Sequence, residues 1–356
     1  LKKISTKVSS QFPALLVTGA RQVGKTTLFK YANKNRKNHV TLDNPAIRLL
    51  AKEDPALLLK HYTPPVIIES LAVRIAILNL LGFSCMEISG KGLEEKPFSP
   101  TMRNISIQKS DLNFVYEKIW RGFFPFLALN QENDWNVFYS SHIQTYIQRD
   151  IRDLSQIGNE YEFLKFLNIA ATRTGQLLNI SDMTKETGIS VNTAKKWFSI
   201  LQATSIIYLL KPWYLNIYKR LVKTPKLYFL NTGLAAYLKN WTSPLTLETG
   251  AMSVQFFETF VIGEILKSFI HNGKKSDFYY YRDKDKKEIY LLILNNGRVI
   301  PPEIKKTASP TKKDIGSIFK MEKLGLHVES GVMICFVDDY IPLSEKIMAI
   351  PITALL

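Results

Sequence analysis

The sequence predicts an α/β protein in several parts: a small parallel-sheet domain, a helical middle and a second α/β region. Ala14-Leu15-Leu16-Val17-Thr18 is an apolar, strand-like run that leads into a glycine-bounded loop and then a helix-compatible stretch. From Trp120 the texture changes to long helical patterns. Near the C-terminal end, Glu288 to Lys306 reads as a β-hairpin around Asn295-Asn296-Gly297.

Length and composition set the frame. At 356 residues two or three domains are expected, and 46% hydrophobic with 12% aromatic residues exclude wholesale disorder. The balance of 47 basic to 31 acidic residues, a net charge of +16, suits a polyanionic partner such as nucleic acid, nucleotide phosphate or an anionic surface. A lysine-rich proteome would give the same excess. The two cysteines, Cys85 and Cys335, have no CxxC pattern, so neither a disulfide framework nor a zinc site is expected, and a reducing cytoplasm fits. No apolar run approaches the ~20 residues needed to cross a bilayer. The most apolar stretch, Ile75 to Met86, is too short and follows Arg74, and residues 1–12 lack the core of a signal peptide. A cytoplasmic protein with no membrane partner is the expectation.

Four domain spans follow: residues 1–85 as an incomplete nucleotide-binding domain, 86–118 as a linker rich in Gly, Ser and Lys, 119–225 as a helical region, and 226–356 as a C-terminal α/β domain. In the first span, His39 to Leu42, Pro65 to Ile68 and Ile75 to Leu80 are further strand candidates. Asn44 before Pro45 and Asp54 before Pro55 place capping side chains ahead of proline at the first helical position.

Gly19-Ala20-Arg21-Gln22-Val23-Gly24-Lys25-Thr26 matches G-x-x-x-x-G-K-[ST] at every required position, and Thr27 follows. The glycines let successive backbone N–H groups face phosphate oxygens, and the next helix adds its positive end. Lys25 would reach the β- and γ-phosphates of ATP, and Thr26 would offer its hydroxyl to Mg²⁺. Hydrolysis needs more: a strand ending in an acidic pair that holds Mg²⁺ through water. The only good candidate strand ends Ile68-Glu69-Ser70, which leaves Glu69 as a weak catalytic candidate. A βα unit with its return strand takes ~30 residues. A five-stranded nucleotide domain therefore fits poorly between Ala14 and Leu81, so either the sheet is small or part of it is missing.

Several stretches together resemble the bacterial and archaeal AAA-superfamily ATP-binding proteins that carry a C-terminal domain of unknown function. They are Phe12 to Thr27, Leu42-Asp-Asn-Pro45, Pro64 to Ile68, Ser70-Leu-Ala72 with Arg74, Tyr146 to Leu154, Arg173 to Asn179, Lys226-Leu-Tyr-Phe229 and Pro302 to Lys306. The resemblance spans nearly the whole chain and implies a truncated P-loop (AAA-type) parallel-sheet domain. Family members continue after the third strand with an Asp-Glu pair, a helix and a further strand before the Ser-Leu-Ala-Gly-Arg stretch. Here Glu69 runs directly into Ser70-Leu71-Ala72, and Val73 replaces the glycine. An internal deletion that removes the Walker B pair would impair hydrolysis while leaving a binding loop. A shortened frame that gives no stable N-terminal fold is the other outcome. Arg74 could act across the interface of a homo-oligomer, or serve packing.

Ile180 to Ile189 and Ser190 to Leu201 read as a helix-turn-helix, with Ser181 and Ser190 as caps and Gly188 at the turn. Ala194, Trp197, Phe198 and Leu201 form its core face, whereas Asn192, Lys195 and Lys196 face outward. With Ile206 to Leu210 and Lys219-Arg220 as a wing, this is a winged-helix candidate. DNA contact through Asn192 and the two lysines is one reading, and packing or protein contact is the other.

The C-terminal region is similar to a PD-(D/E)xK nuclease scaffold, with Glu258 on a helix from Phe256 to Lys267, and Glu303 and Lys305 on the second hairpin strand. The family's usual Asp is Tyr290 here, and a neutral phenol is a poor Mg²⁺ ligand. Nuclease chemistry is therefore not expected. Taken together, these readings favour an ATP-binding protein with impaired hydrolysis. The alternative is a non-catalytic DNA-binding or assembly protein with a vestigial P-loop.

Overall fold

Parallel pairing joins the strands at the N-terminal end. The computed structural model describes residues 14–20, 22–25, 27–28, 38–40, 45–62, 66–68, 75–100, 111–147, 159–214, 224–275, 277–283, 288–295, 298–323, 328 and 330–356. Strand β1 (Ala14–Thr18), β2 (Asn38–Val40), β3 (Val66–Ile68) and β4 (Ile75–Asn79) form two separate parallel pairs, β1 with β4 and β2 with β3. Parallel strands need a crossover, and between β2 and β3 the chain forms helices Pro45–Glu53 and Pro55–His61. Asp54 caps the second helix by accepting from the Leu57 N–H at 2.9 Å, with Pro55 at its first turn. Val17, Val23, Val40, Ala51 and Leu58 are buried. These elements belong to one compact unit, Leu1–Leu80, and the rest of the chain forms a second, Leu81–Leu356.

The second unit is mixed α/β. Helices Cys85–Ile88, Leu112–Arg121, Pro125–Leu129, Trp135–Thr145 and Glu160–Thr172 come first. The helix expected from Phe138 starts earlier, at Trp135, because Asp134 accepts from the Val137 N–H at 2.9 Å. The remainder expected to Leu154 lies partly outside the described residues. Helices Ile180–Thr187 and Val191–Ala203 follow.

One sheet runs β10-β9-β8-β6-β7-β5. Its strands are β5 (Gln176–Leu177), β6 (Ile207–Pro212), β7 (Lys226–Phe229), β8 (Phe278–Arg282), β9 (Glu288–Asn295) and β10 (Arg298–Ile300). Strand β6 pairs antiparallel with β7 and, near its end, parallel with β8. The sheet thus crosses the border expected at residue 225, and the two expected regions share it.

A second sheet contains β11 (Pro302–Ile304), β12 (Gly331–Cys335), β13 (Ile341–Pro342) and β14 (Ile347–Pro351), in the order β11-β12-β14-β13. Sequence patterning placed Arg298 to Lys306 on one hairpin strand, and this is corrected. The strand breaks at Pro301, whose missing N–H cannot continue a ladder, and Pro302 stands as the first residue of β11, where a strand tolerates proline. Glu303 therefore sits on β11, paired in parallel with Met333 of β12. Trp213, Leu292, Val299, Ile318, Met321 and Met333 belong to one buried cluster that draws on both sheets.

Helix Ser253–Ile270 is buried on nearly every side, with apolar residues all round it and buried polar side chains such as Glu258, Glu264 and Lys267 among them. Each of its fully buried rings, Phe256, Phe257 and Phe260, stabilises the fold by about 2–3 kcal/mol. In the stretch 86–118, expected as a surface connection, described residues hydrogen-bond to this helix and to the turn that follows it. The Phe98 N–H donates to Ser268 Oγ at 3.0 Å, and Asn272 Nδ2 donates to the Glu95 carbonyl at 3.1 Å. Just ahead of that stretch, the Cys85 N–H donates to Glu264 Oε2 at 2.7 Å.

Candidate functional site

The loop that follows β1 is shaped by backbone conformations that ordinary side chains avoid. Gly19 has φ of 144° and Gly24 φ of 89°, and Gln22 between them takes φ of 62°. A Cβ on Gly19 would lie 1.9 Å from the Leu80 carbonyl oxygen, so only glycine fits where the loop leaves the β1–β4 pair. Val23 is buried and pins the loop from within, while Gln22 is exposed. After Gly24 the chain turns helical, with the Leu28 N–H donating to the Gly24 carbonyl at 2.9 Å. Lys25 Nζ bends back over the loop and donates to the carbonyls of Gly19, at 2.8 Å, and Ala20, at 3.0 Å.

Of the nine loop residues singled out by sequence, Gly19, Ala20, Gln22, Val23, Gly24, Lys25 and Thr27 are thus placed together. Arg21 and Thr26 lie outside the described residues, as do Glu69 and Arg74.

The expected helix pair is present. Ser190 caps Val191–Ala203 by accepting from the Thr193 N–H at 3.0 Å, and Gly188 closes the preceding helix in a left-handed conformation with φ of 82°. The first cap is corrected: Asn179, not Ser181, accepts from the Asp182 N–H at 3.3 Å. Ala194, Trp197, Phe198 and Leu201 are buried. Trp197 meets Phe163 and Phe166 edge-on, each with ring centroids 5.2 Å apart. Asn192, Lys195 and Lys196 are exposed on the other side. The expected wing residues Lys219 and Arg220 lie outside the described residues.

The positions compared with a nuclease come from helix Ser253–Ile270, β9, and β11 with the residue after it, and Glu258, Tyr290 and Glu303 lie close enough to act on one another electrostatically. Glu258, on helix Ser253–Ile270, accepts from the Tyr228 hydroxyl and lies 3.4 Å from Lys226 Nζ. Burial raises the Glu258 carboxyl above its ordinary range, against the opposing pull of Lys226. Glu303 accepts from Ser317 Oγ at 3.2 Å, and burial pushes its pKa up to about 8. Lys305 is bound to Asp314 at 2.6 Å, and its hydrogen bond holds the Asp314 carboxyl down at about 2. The Tyr290 phenol is raised to about 12, chiefly by burial. Among the described residues, no group of three or more His, Cys, Asp or Glu side chains is placed to hold a metal ion. The sequence did not single out Lys226 or Glu288 as site residues. A lysine within the otherwise apolar strand Lys226-Leu-Tyr-Phe229 was the available signal.

Two family models match the chain. Both are domains of unknown function: DUF8612 over residues 113–245 and DUF4143 over residues 255–355. The second agrees with the C-terminal domain of unknown function that the sequence resemblance implied. The chain is also 25% identical, over 370 residues, to the uncharacterized protein Rv2008c of Mycobacterium tuberculosis. It is equally similar to the uncharacterized protein Mb2031c of Mycobacterium bovis. The comparison covers 95% of this chain and 80% of each relative. Among the described residues, no helix is long and apolar enough to cross a membrane.

Proposed function

We propose that this chain is an ATP-binding protein of the AAA-superfamily kind, with its nucleotide phosphates held by the loop from Gly19 to Thr26. The observation that carries the proposal is the loop's backbone. A parallel strand leads into two glycines at positive φ, the chain then turns helical, and the Lys25 ammonium arches over the loop. Backbone N–H groups and a helix start at such a turn form an anion cradle. Lys25 would exchange its two carbonyl partners for phosphate oxygens, which accept more strongly because they are charged. Bound Mg²⁺ would neutralise phosphate charge, with Thr26 as its protein ligand.

Hydrolysis is impaired in this proposal. The strand β3 is followed by a single carboxylate, Glu69, rather than an acidic pair. The two parallel pairs in the N-terminal unit suit a sheet that has lost a strand between them. The 370-residue comparison with the mycobacterial relatives is longer than this 356-residue chain. Those relatives therefore carry residues within the compared span that this chain lacks. Phosphate release from Mg-ATP, followed over many turnovers, tests the point: a rate no higher than that of Lys25→Ala is expected. Turnover that Lys25→Ala abolishes would overturn it.

DNA binding by the second unit is a separate reading, favoured by the exposed face of helix Val191–Ala203. Asn192, Lys195 and Lys196 are presented there while Trp197 and Leu201 anchor the opposite side. Lysines would contact phosphates and Asn192 a base edge. In this reading the net charge of +16 supports association. The test is a titration of duplex DNA at low and moderate salt.

A further inference from the structure

The buried acids of the second unit meet a cation that the chain supplies itself. Lys226 Nζ, on β7, lies 3.1 Å from Glu288 Oε2 of β9 and 3.4 Å from Glu258 Oε1 of helix Ser253–Ile270. The Lys226 and Glu258 side chains are 3% and 6% exposed. The ammonium also faces the ring of Tyr290 at 4.6 Å and that of Tyr280 at 5.8 Å. Further groups close the cluster: the Tyr228 hydroxyl donates to Glu258, and Arg282 Nε lies 3.4 Å from Glu288 Oε1. Glu303 is near enough to act electrostatically on both Tyr290 and Glu258.

A buried carboxylate is costly unless a cation and hydrogen bonds compensate it. Two carboxylates from different elements that aim at one point would draw a hard divalent cation, which takes carboxylate oxygens and fills its remaining positions with water. Here that point is taken by an ammonium. Its stem runs from the middle of the sheet, where strand pairing with Leu177 and Leu210 fixes the Lys226 backbone. The amine cannot withdraw without leaving an uncompensated charge behind.

We propose that Lys226 is the resident cation of this cluster, so that Glu258 and Glu288 form a latent hard-cation site which the chain's own lysine keeps closed. Removing the amine leaves two carboxylates with a space between them, and uptake of a divalent ion restores the balance.

Mn²⁺ is the probe, with free ion measured by electron paramagnetic resonance on the full chain without nucleotide. Wild type is expected to take up no stoichiometric Mn²⁺. Lys226→Ala is expected to bind one equivalent, and Lys226→Ala combined with Glu258→Gln is expected to bind at least tenfold more weakly than Lys226→Ala alone. Mn²⁺ should raise the melting temperature of Lys226→Ala and leave that of wild type unchanged. Lys226→Gln, which keeps most of the side-chain volume, serves if the alanine variant does not fold. Stoichiometric uptake by wild type that Glu258→Gln abolishes would overturn the proposal. So would a folded Lys226→Ala or Lys226→Gln that binds no Mn²⁺.

Discussion

Gly19 faces the carbonyl oxygen of Leu80 so closely that a Cβ on Gly19 would lie 1.9 Å from it. The contact joins the first residue of the loop to the end of the neighbouring parallel strand, where the Leu80 N–H also donates to the Thr18 carbonyl at 2.7 Å. Backbone on both sides leaves no flexible side chain to give way.

Gly19→Ala is accordingly expected to destabilise the N-terminal unit by at least 2–3 kcal/mol as an order of magnitude, since it adds a clash to a positive-φ penalty. Gly90→Ala is the control. Gly90 also has φ of 78° but nothing within 4 Å of an added Cβ, so it should cost only about 1 kcal/mol. Denaturant melts of both variants check the ordering, and equal losses would contradict the clash.

Glu303 makes the second unit sensitive to alkali. Its folded pKa of about 8 lies above the ordinary carboxylate value, so the folded chain holds this proton more tightly than the unfolded chain. The stability it contributes is complete below the ordinary carboxylate range, falls as pH rises, and is gone past about 8. Glu303→Gln, which mimics the protonated acid, should match wild type near pH 4 and become progressively more stable than it by pH 9. The slope is at most about 1.4 kcal/mol per pH unit. Melts across that range check it, and a pH-independent gap between the two proteins would refute it.

Trp197 holds helix Val191–Ala203 against Phe163 and Phe166. Trp197→Ala should cost about 3–5 kcal/mol, the range for emptying a large aromatic site in a packed core. Chemical denaturation gives the value, and a loss under 1 kcal/mol would mean that this helix is not packed as described.

Lys195→Ala combined with Lys196→Ala tests the exposed face of the same helix without touching its core. If both lysines meet phosphates, duplex DNA affinity should fall and the slope of log affinity against log salt should flatten by about 1–2 units. Binding with an unchanged slope would place the DNA elsewhere.

The extent to which these features can be read from the sequence follows from how local each signal is. Asp54-Pro55, Ser190 and Gly188 act through hydrogen bonds and backbone angles within a few residues, and the structure bears out their positions. The glycines at 19 and 24 were equally local, although the reason for Gly19 lies in Leu80, some sixty residues away. Pairings between distant segments were not legible. The Glu288 to Lys306 stretch carried a hairpin signal, and β9 with β10 forms it, yet Pro301 divides the stretch between two sheets. Lys226 entered the sequence reading only as part of the stretch Lys226-Leu-Tyr-Phe229. Its pairing with Glu258 and Glu288 depends on a helix and a strand that the fold brings to it.

Calorimetric titration with Mg-ATP of the wild-type chain and of Lys25→Ala is the most direct measure of the central claim. Saturable binding of one nucleotide per chain is expected in wild type, with loss of at least tenfold in affinity in Lys25→Ala. No detectable binding by a folded wild-type chain, or equal binding by both proteins, would contradict the assignment of the loop from Gly19 to Thr26 as a nucleotide site.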